Sequence, residues 1–203
     1  MRRNARSEQS RRQVLDAALH LFSHQGYRAT TMRDIAEKAG VSTGNVYHHF
    51  EEKEQIFRDL LDEFWSITES KRYPFTRALA SGHFPDNLEQ LGLAARDSVR
   101  EFRSYIALIY VDVIEFDGTH IQKFYGEMGQ RYARMLTGGG LQEIRERLRP
   151  GVSPVSALLM TSRFFFNYFS LEILFNVPQP FGKDSMQIVR EIADILRNGM
   201  VAE

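Results

Sequence analysis

Cysteine is absent from this chain of 203 residues. Its absence excludes disulfide bonds, thiolate catalysis and cysteine-ligated zinc, and it suits a reducing cytoplasm. The basic start of the sequence is not followed by an apolar stretch, so we expect no secretory signal. The most apolar run, residues 155–175, contains Arg163, Asn167 and Glu172, which disfavours a membrane span and favours a buried helix.

Signatures of enzyme and metal sites are also scarce. The sequence contains neither an H-E-x-x-H helix nor a G-x-G-x-x-G dinucleotide fingerprint. His20 and His24 have the spacing to share a metal on one helix, but no third ligand lies nearby in the sequence. We therefore expect no enzymatic activity, no catalytic residue, no metal site and no cofactor.

Net charge is also lacking, because 26 basic side chains balance 26 acidic ones. The charges are unevenly placed, however, since residues 1–49 hold eight Arg or Lys against four acids. Residues 1–7 form the most basic part and are expected to be a disordered basic arm. Alone, this surplus is only a weak indication of phosphate binding.

Apolar residues recur at helical spacing along nearly the whole chain, and no alternating strand pattern occurs. The sequence therefore predicts an all-α fold. A first helix is expected over about 8–24, before Gly26, and a fourth is expected from Glu52 onward. Later helices are predicted over about 86–102, 104–116, 119–136, 154–175 and 184–198.

Two short segments between these helices have the spacing of a helix-turn-helix. Thr31 and Asp34 form a capping-box pattern at the start of the second helix. Gly40 stands where the turn needs positive φ, and Ser42 is a natural N-cap for the third helix, "TGNVYHH". Two close-packed helices of this kind leave the outer face of the second one free to enter a major groove.

The segment "RRQVLDAALHLFSHQGYRATTMRDIAEKAGVSTGNVYHHFEEKEQIF" resembles the N-terminal DNA-binding domain of the TetR family of transcriptional regulators. The resemblance covers about residues 8–60, including T-T-x-x-D-I-A and A-G-V-S-x-G-x-x-Y-x-H-F. Thr43 and Asn45 are small polar groups able to reach base edges, and the resemblance implies that Tyr47 clamps the DNA backbone. Together the pattern and the resemblance predict DNA contacts by Arg28, Thr31, Arg33, Ser42, Thr43, Gly44, Asn45, Tyr47, His48 and Lys53.

The remaining chain is predicted to form a larger helical module. We place the helix-turn-helix domain at 1–50, the connecting fourth helix at 51–70, and a ligand-binding and dimerisation domain at 71–203. The last two helices resemble the pair that forms the four-helix dimer interface of the TetR family. The positions expected at that interface are Leu158, Phe165, Phe169, Ile188, Ile192 and Ile195, with an ordinary intrachain core as the alternative.

An effector pocket is implied by the same resemblance, and several aromatic side chains could line it. The candidates are Phe64, Trp65, Tyr105, Ile109, Asp112, Phe116, Phe124, Tyr125 and Tyr168. Asp112 lies within an apolar helix, so it is expected to meet Arg163, a helix end or a polar ligand. Spacing alone leaves open whether this region is a pocket or a filled core.

The sequence thus predicts a homodimeric, cytoplasmic DNA-binding regulator, most simply a repressor released from a palindromic operator by a small apolar or amphipathic effector. It would bind double-stranded DNA, its own copy and the effector, and no membrane. One alternative is a small-molecule carrier with a vestigial helix-turn-helix, and another is an activator of the same family. A third is an enzyme that uses Asp112 or Glu115 as a base.

Overall fold

The computed structural model describes residues 2–81, 83–137 and 141–200, and within these ranges all regular structure is helical. The predicted all-α fold with an N-terminal helix-turn-helix is confirmed. The helices are α1 Arg2–Gln25, α2 Met32–Ala39, α3 Thr43–His49, α4 Lys53–Glu69, α5 Pro74–Leu79, α6 Leu88–Glu101, α7 Arg103–Phe116, α8 Ile121–Thr137, α9 Leu141–Arg147, α10 Pro154–Phe169 and α11 Ser185–Met200. A π-helical turn, Ser170–Leu174, follows α10.

Several helices differ from the sequence prediction, and α9 was not predicted at all. First, α1 begins at Arg2, so the expected basic arm is helical from its second residue, because residues 2–8 contain no helix breaker. Residue 1 lies outside the described part. Second, the short α5 lies where no helix was predicted, and it begins with Pro74, whose fixed φ suits the first helical position. Third, α10 ends at Phe169 and only the π-helical turn continues toward residue 175.

The chain folds as two compact units. Unit 1 contains Met1–Ser66 and Ser104–Lys123, and unit 2 contains Ile67–Arg103 and Phe124–Glu203. These units differ from the predicted boundaries at residues 50 and 70, because nearly all of α7 packs with the N-terminal helices although it lies far along the chain. Sequence periodicity identifies such a helix but carries no signal of its long-range partner.

The core of unit 1 joins the N-terminal helices to α7. Phe22, Ile35 and Val46 are completely buried, one from each of α1, α2 and α3. Phe57 of α4 is also buried and lies 5.0 Å, ring centre to ring centre, from Phe116 of α7. The helix-turn-helix is therefore fixed to α4 and α7 by aromatic packing.

In unit 2, α6 lies against α5, α10 and α11. A Cβ atom at Gly92 of α6 would lie only 2.7 Å from the Phe165 ring and 2.9 Å from Val189, so these helices approach through the glycine. The predicted dimer-interface positions require correction here. Leu158, Phe165 and Phe169 have no exposed surface because they fill this intrachain core.

Positions on α11 divide between the core and the surface. Ile188 and Ile192 are buried within the chain, whereas Ile195 is 64% exposed. On α10, Phe164 is 51% exposed beside the buried Phe165. Within the described ranges, no helix combines the length and the apolar character that a bilayer span requires.

Candidate nucleic-acid interface

The helix-turn-helix is closed by three local features that the sequence predicted. Thr31 Oγ1 accepts a hydrogen bond from Asp34 N (3.1 Å), and Asp34 Oδ2 accepts one from Thr31 N (2.8 Å), which completes the capping box of α2. The hydrogen bonds that the backbone N–H and the hydroxyl group of Thr31 donate to this carboxylate hold the pKa of Asp34 below its ordinary value. Gly40 adopts φ 68°, and Ser42 Oγ accepts a hydrogen bond from Asn45 N (3.2 Å) at the start of α3.

The same turn, Gly40–Gly44, also reads G-x-S-x-G, the pattern of a nucleophile elbow. A nucleophile elbow lies between a strand and a helix, with its serine hydroxyl exposed. Here the segment joins two helices, and Ser42 Oγ caps α3. The pattern thus serves the turn of the helix-turn-helix.

The outer face of α3 is polar and open. Tyr47 is 54% exposed and His48 is exposed, whereas Val46, which precedes them, is fully buried and anchors the helix. A Cβ atom at Gly44 would meet no atom within 4 Å, so this surface leaves space for a close approach. The structure thus places Ser42, Thr43, Gly44, Tyr47 and His48 together on one accessible helix, as a groove-binding helix requires.

Asn45 lies on the side of α3 that faces α1. Its Oδ1 accepts a hydrogen bond from Ser10 Oγ (2.5 Å), and the residue is only partly exposed. A bidentate contact with adenine needs both the carbonyl and the amide of the asparagine. In this arrangement Ser10 engages the carbonyl, so Asn45 holds α1 against α3.

Lys53 differs most from its predicted role as a phosphate contact. Its Nζ donates hydrogen bonds to the backbone oxygens of Tyr27 (2.7 Å) and Thr30 (2.6 Å), and it lies 3.9 Å from the centre of the Tyr27 ring. Burial lowers the pKa of this ammonium group, while the carboxylates of Glu115 and Asp34 act in the opposite direction. Two of its three donors are therefore committed to the α1–α2 loop.

Glu115 of α7 binds the same loop from its N–H side. The two carboxylate oxygens accept hydrogen bonds from Tyr27 N (2.9 Å) and Arg28 N (2.8 Å), and Arg28 Nε lies 3.7 Å from Glu115 Oε2. Sequence reasoning named Glu115 only as a possible catalytic base and missed this contact, which joins residues 87 and 88 positions apart. The one local signal is Gly26 at φ 86°, where a Cβ atom would lie 3.0 Å from Glu115 Oε1.

Three further predicted contacts lie around this loop and on α2. Arg28, Thr31 and Arg33 are all exposed. Thr31 is already engaged in the capping box, so its side chain has a structural role, as does Lys53. Arg33 and the Arg28 guanidinium remain accessible as cations next to the helix-turn-helix.

The candidate pocket residues divide between the two units. Phe64, Trp65, Tyr105, Ile109, Asp112 and Phe116 belong to unit 1, and Phe124, Tyr125 and Tyr168 belong to unit 2. In unit 1 the rings of Phe64 and Tyr105 stack with centres 5.4 Å apart. In unit 2 the guanidinium of Arg163 lies 4.7 Å from the Tyr125 ring centre, so this arginine contacts an aromatic face.

Asp112 is completely buried, and its carboxylate is hydrogen bonded within unit 1. Oδ1 lies 2.6 Å from Nδ1 of His120, and Oδ2 accepts a hydrogen bond from Ile121 N (3.1 Å) at the start of α8. Of the partners considered from the sequence, the helix end is the one observed. These two bonds satisfy the carboxylate, and His120 was not anticipated.

Comparison with known proteins agrees with this geometry. Residues 14–60 match the family model for bacterial regulatory proteins of the tetR family. The repressor KstR2 of Rhodococcus jostii is 36% identical over 129 residues, which cover 63% of this chain and 62% of that protein. The regulator AcrR of Shigella flexneri is 42% identical over 64 residues, covering 32% of this chain and 28% of AcrR. The aligned part thus spans less than two thirds of either relative.

Solved structures share the fold over almost the whole chain. The ketosteroid transcriptional regulator KstR2 of Mycobacterium tuberculosis aligns with a TM-score of 0.58 and 22% identity over 94% of both chains. NalD of Pseudomonas aeruginosa, the secondary repressor of a multidrug efflux pump, aligns with a TM-score of 0.65 and 21% identity over 97% of this chain and 99% of NalD. The N-terminal helix-turn-helix thus matches the tetR family of bacterial regulatory proteins over residues 14–60, and the solved structures share the fold of nearly the whole chain.

Proposed function

We propose that this protein is a dimeric transcriptional repressor that releases its DNA operator when a small molecule binds. The observation that carries the proposal is the open polar face of α3, held by the αL turn at Gly40 and the buried Val46. The match of residues 14–60 to the tetR family model supports DNA binding, and relatives such as KstR2 are named repressors. The protein would act in the cytoplasm, where it meets chromosomal DNA.

Base recognition in this proposal comes from the first turns of α3. Thr43 and His48 would reach base edges in the major groove, and Tyr47 would contact the sugar–phosphate backbone. Arg28 and Arg33 would add phosphate contacts beside the groove. Lys53 and Thr31 would act mainly by fixing the loop and the α2 terminus, which leaves one Lys53 donor for a phosphate.

Dimerisation is proposed through the outward faces of α10 and α11. Phe164 and Ile195 are exposed there around a cleft of about 370 Å³, whose wall includes Tyr168. Among the described residues, the buried hydroxyl group of Tyr168 has no hydrogen-bond partner. A second copy would cover this apolar surface and place two α3 helices about 34–36 Å apart, or at a related spacing, on a two-fold operator. Ile195→Glu is expected to reduce dimerisation, measurable by sedimentation, and an unchanged dimer would exclude this face.

The effector is proposed to be apolar or amphipathic, because the chain is rich in buried aromatic side chains. KstR2 of Mycobacterium tuberculosis is described as a ketosteroid regulator, which supports an apolar effector for this chain as well. Because α4 contributes residues to both units, a change in its position would alter the separation of the two α3 helices. A coupling free energy of about 1–3 kcal/mol would change operator affinity about 5- to 150-fold.

The experiment that tests DNA recognition is selection of bound duplexes from a random library by the purified full-length protein. The selected duplex is then titrated at fixed salt with wild-type protein and with Tyr47→Ala combined with Thr43→Ala. Tyr110→Ala, a change at an exposed tyrosine of α7, is the matched control.

A two-fold symmetric site, bound far more tightly than random DNA and lost only in the α3 variant, is the expected result. Failure to enrich any site, in protein freed of co-purified small molecules, would favour the alternative of a carrier with a vestigial helix-turn-helix. Effector-dependent release is tested separately by titrating steroids and other apolar compounds into the operator complex. Unchanged affinity with every compound that binds the protein would refute that part of the proposal.

A further inference from the structure

Asn45 lies at the edge of the α3 face that would enter the DNA groove. At 3.6 residues per turn, successive residues are about 100° apart, so one continuous face consists of Thr43, Gly44, Tyr47 and His48. Asn45 lies about 60° beyond His48 on the side that faces α1, and it is only partly exposed. Its side chain therefore has two directions available, toward α1 or toward the groove.

In the structure the side chain of Asn45 is turned toward α1. Its Oδ1 accepts a hydrogen bond from Ser10 Oγ (2.5 Å), and both residues are partly buried. The backbone of Asn45 is fixed separately, because its N–H donates to Ser42 Oγ (3.2 Å) at the start of α3. The bond with Ser10 therefore fixes what the backbone leaves free, which is the rotation of the carboxamide group.

The α1 side of this bond is held in place by neighbouring contacts. Arg11, the next residue, pairs with Asp59 of α4, and its guanidinium lies 5.1 Å from the centre of the Phe50 ring. On α3, His49 lies one turn after Asn45 on the same side, where its Nε2 is buried and burial lowers its pKa. Because the two helices are packed together here, Asn45 cannot turn toward DNA without breaking the bond.

The carboxamide of an asparagine reads adenine with both of its ends. The amide donates a hydrogen bond to N7 of the base, and the carbonyl oxygen accepts one from the N6 amino group. In this structure the carbonyl oxygen of Asn45 is bonded to Ser10 and directed toward α1, so the bidentate contact requires that bond to break. A hydrogen bond between neutral groups changes an equilibrium constant by about 2- to 13-fold.

We propose that Ser10 determines sequence specificity indirectly, by holding Asn45 away from the bases. Ser10 is a positioning residue, because it acts through Asn45 and contacts no DNA itself. Its hydroxyl group lowers the preference for adenine at the base pair opposite the first turn of α3 by about 2- to 13-fold. The inference rests on the proposed function, since it requires α3 to occupy a major groove.

The test measures base preference rather than overall affinity. Full-length wild type is compared with Ser10→Ala, with Ser10→Thr, and with Ser10→Ala combined with Asn45→Ala. The control is Ser23→Ala, the same substitution on α1, where the hydroxyl group bonds to the backbone oxygen of His20 within the helix. Each protein is titrated at fixed salt with variants of the selected operator that carry each base pair at every position of one half-site. Circular dichroism verifies the helical content, which alanine favours.

We expect Ser10→Ala to prefer adenine, at one position of the half-site, about 2- to 13-fold more strongly than the wild type. Ser10→Thr keeps the hydroxyl group and should retain the wild-type preference. The double variant should lose the added preference, because it lacks the carboxamide that reads the base. Ser23→Ala should match the wild type at every position.

Three results would overturn the inference and leave the proposed function standing. Unchanged preferences in Ser10→Ala would mean that the bond does not restrain Asn45. Equal weakening of every duplex would mean that the bond only packs α1 against α3. An added preference that persists in the double variant would come from a residue other than Asn45. If the wild type selects no site at all, the proposed function fails and this inference fails with it.

Discussion

Replacing Lys53 by methionine separates a structural role from a DNA-binding one. The substitution keeps an unbranched side chain, shorter by one atom, but removes the ammonium group that bonds to the backbone oxygens of Tyr27 and Thr30. Hydrogen bonds to a charged group each contribute about 1.5–3 kcal/mol, and the contact with the Tyr27 ring adds about 0.5–1 kcal/mol. Relief of the ammonium's burial and the apolar methionine offset part of this sum. We expect a net loss of about 3 kcal/mol in the free energy of unfolding.

The assay is urea unfolding followed by fluorescence. Trp65 is the single tryptophan of the chain and is buried in unit 1, so its emission reports the unit that contains Lys53. With m-values of about 1–3 kcal/mol/M, the midpoint should fall by about 1 M or more. Lys38→Met is the control because Lys38 is exposed on α2, and it should change stability by less than about 0.5 kcal/mol.

Equal midpoints for the Lys53 and Lys38 variants would refute the reasoning, because the two hydrogen bonds would then contribute nothing. The same Lys53 variant also tests its predicted phosphate contact. A reduction of about 0.9 per protomer in the salt dependence of operator binding would mean that the third donor reaches a phosphate. An unchanged slope would restrict Lys53 to the loop.

Three further predictions concern both units. Glu115→Gln removes the negative charge of the group that accepts two loop N–H bonds, and it should lower the free energy of unfolding of unit 1 by about 1–3 kcal/mol. An unchanged urea midpoint would show that these bonds do not stabilise the loop. The folded-state pKa of Asp34 is lowered, so its contribution to stability is present above the unfolded pKa of about 4 and is lost as pH falls through the folded value. The difference in urea midpoint between wild type and Asp34→Asn should therefore shrink below pH 4. A constant difference from pH 6 to pH 3 would contradict the capping assignment. Gly92→Ala places a methyl group 2.7 Å from the Phe165 ring and should destabilise unit 2 by about 1–3 kcal/mol, measured by circular dichroism during unfolding. Unchanged stability would show that the ring moves aside at no cost.

The helix-turn-helix was predictable because its determinants are local. Thr31 and Asp34 are three residues apart, and Ser42 caps the helix that it begins, so the sequence alone contains both partners of each interaction. Gly40 is predictable for the same reason, since the αL turn depends on one residue. The exposed face of α3 then follows from the inward position of Val46.

Contacts between distant parts of the chain were not predictable. Nothing in the periodicity of α7 indicates that Glu115 binds the loop after α1, because a glutamate on a helix is usually solvated. Lys53 was assigned to phosphate because its position in the family motif gives its charge but not its direction. Periodicity failed on α10 as well, where apolar residues cover nearly the whole circumference. Phe164 and Phe165 are adjacent in sequence, yet only the structure shows which one faces the core of its own chain.

The discontinuity of unit 1 has a consequence for how this protein is made. Its second segment, Ser104–Lys123, leaves the ribosome only after the intervening Ile67–Arg103 has been synthesised. At about 5–20 residues per second, synthesis of the chain from residue 66 to residue 123 takes about 3–11 s, during which the nascent helix-turn-helix is without this segment. During that interval the loop at Tyr27 and Arg28 lacks the carboxylate that accepts its N–H groups, and Phe57 lacks its contact with Phe116. An N-terminal fragment cut at residue 66, or a chimera that exchanges only that fragment, inherits the same deficiency permanently.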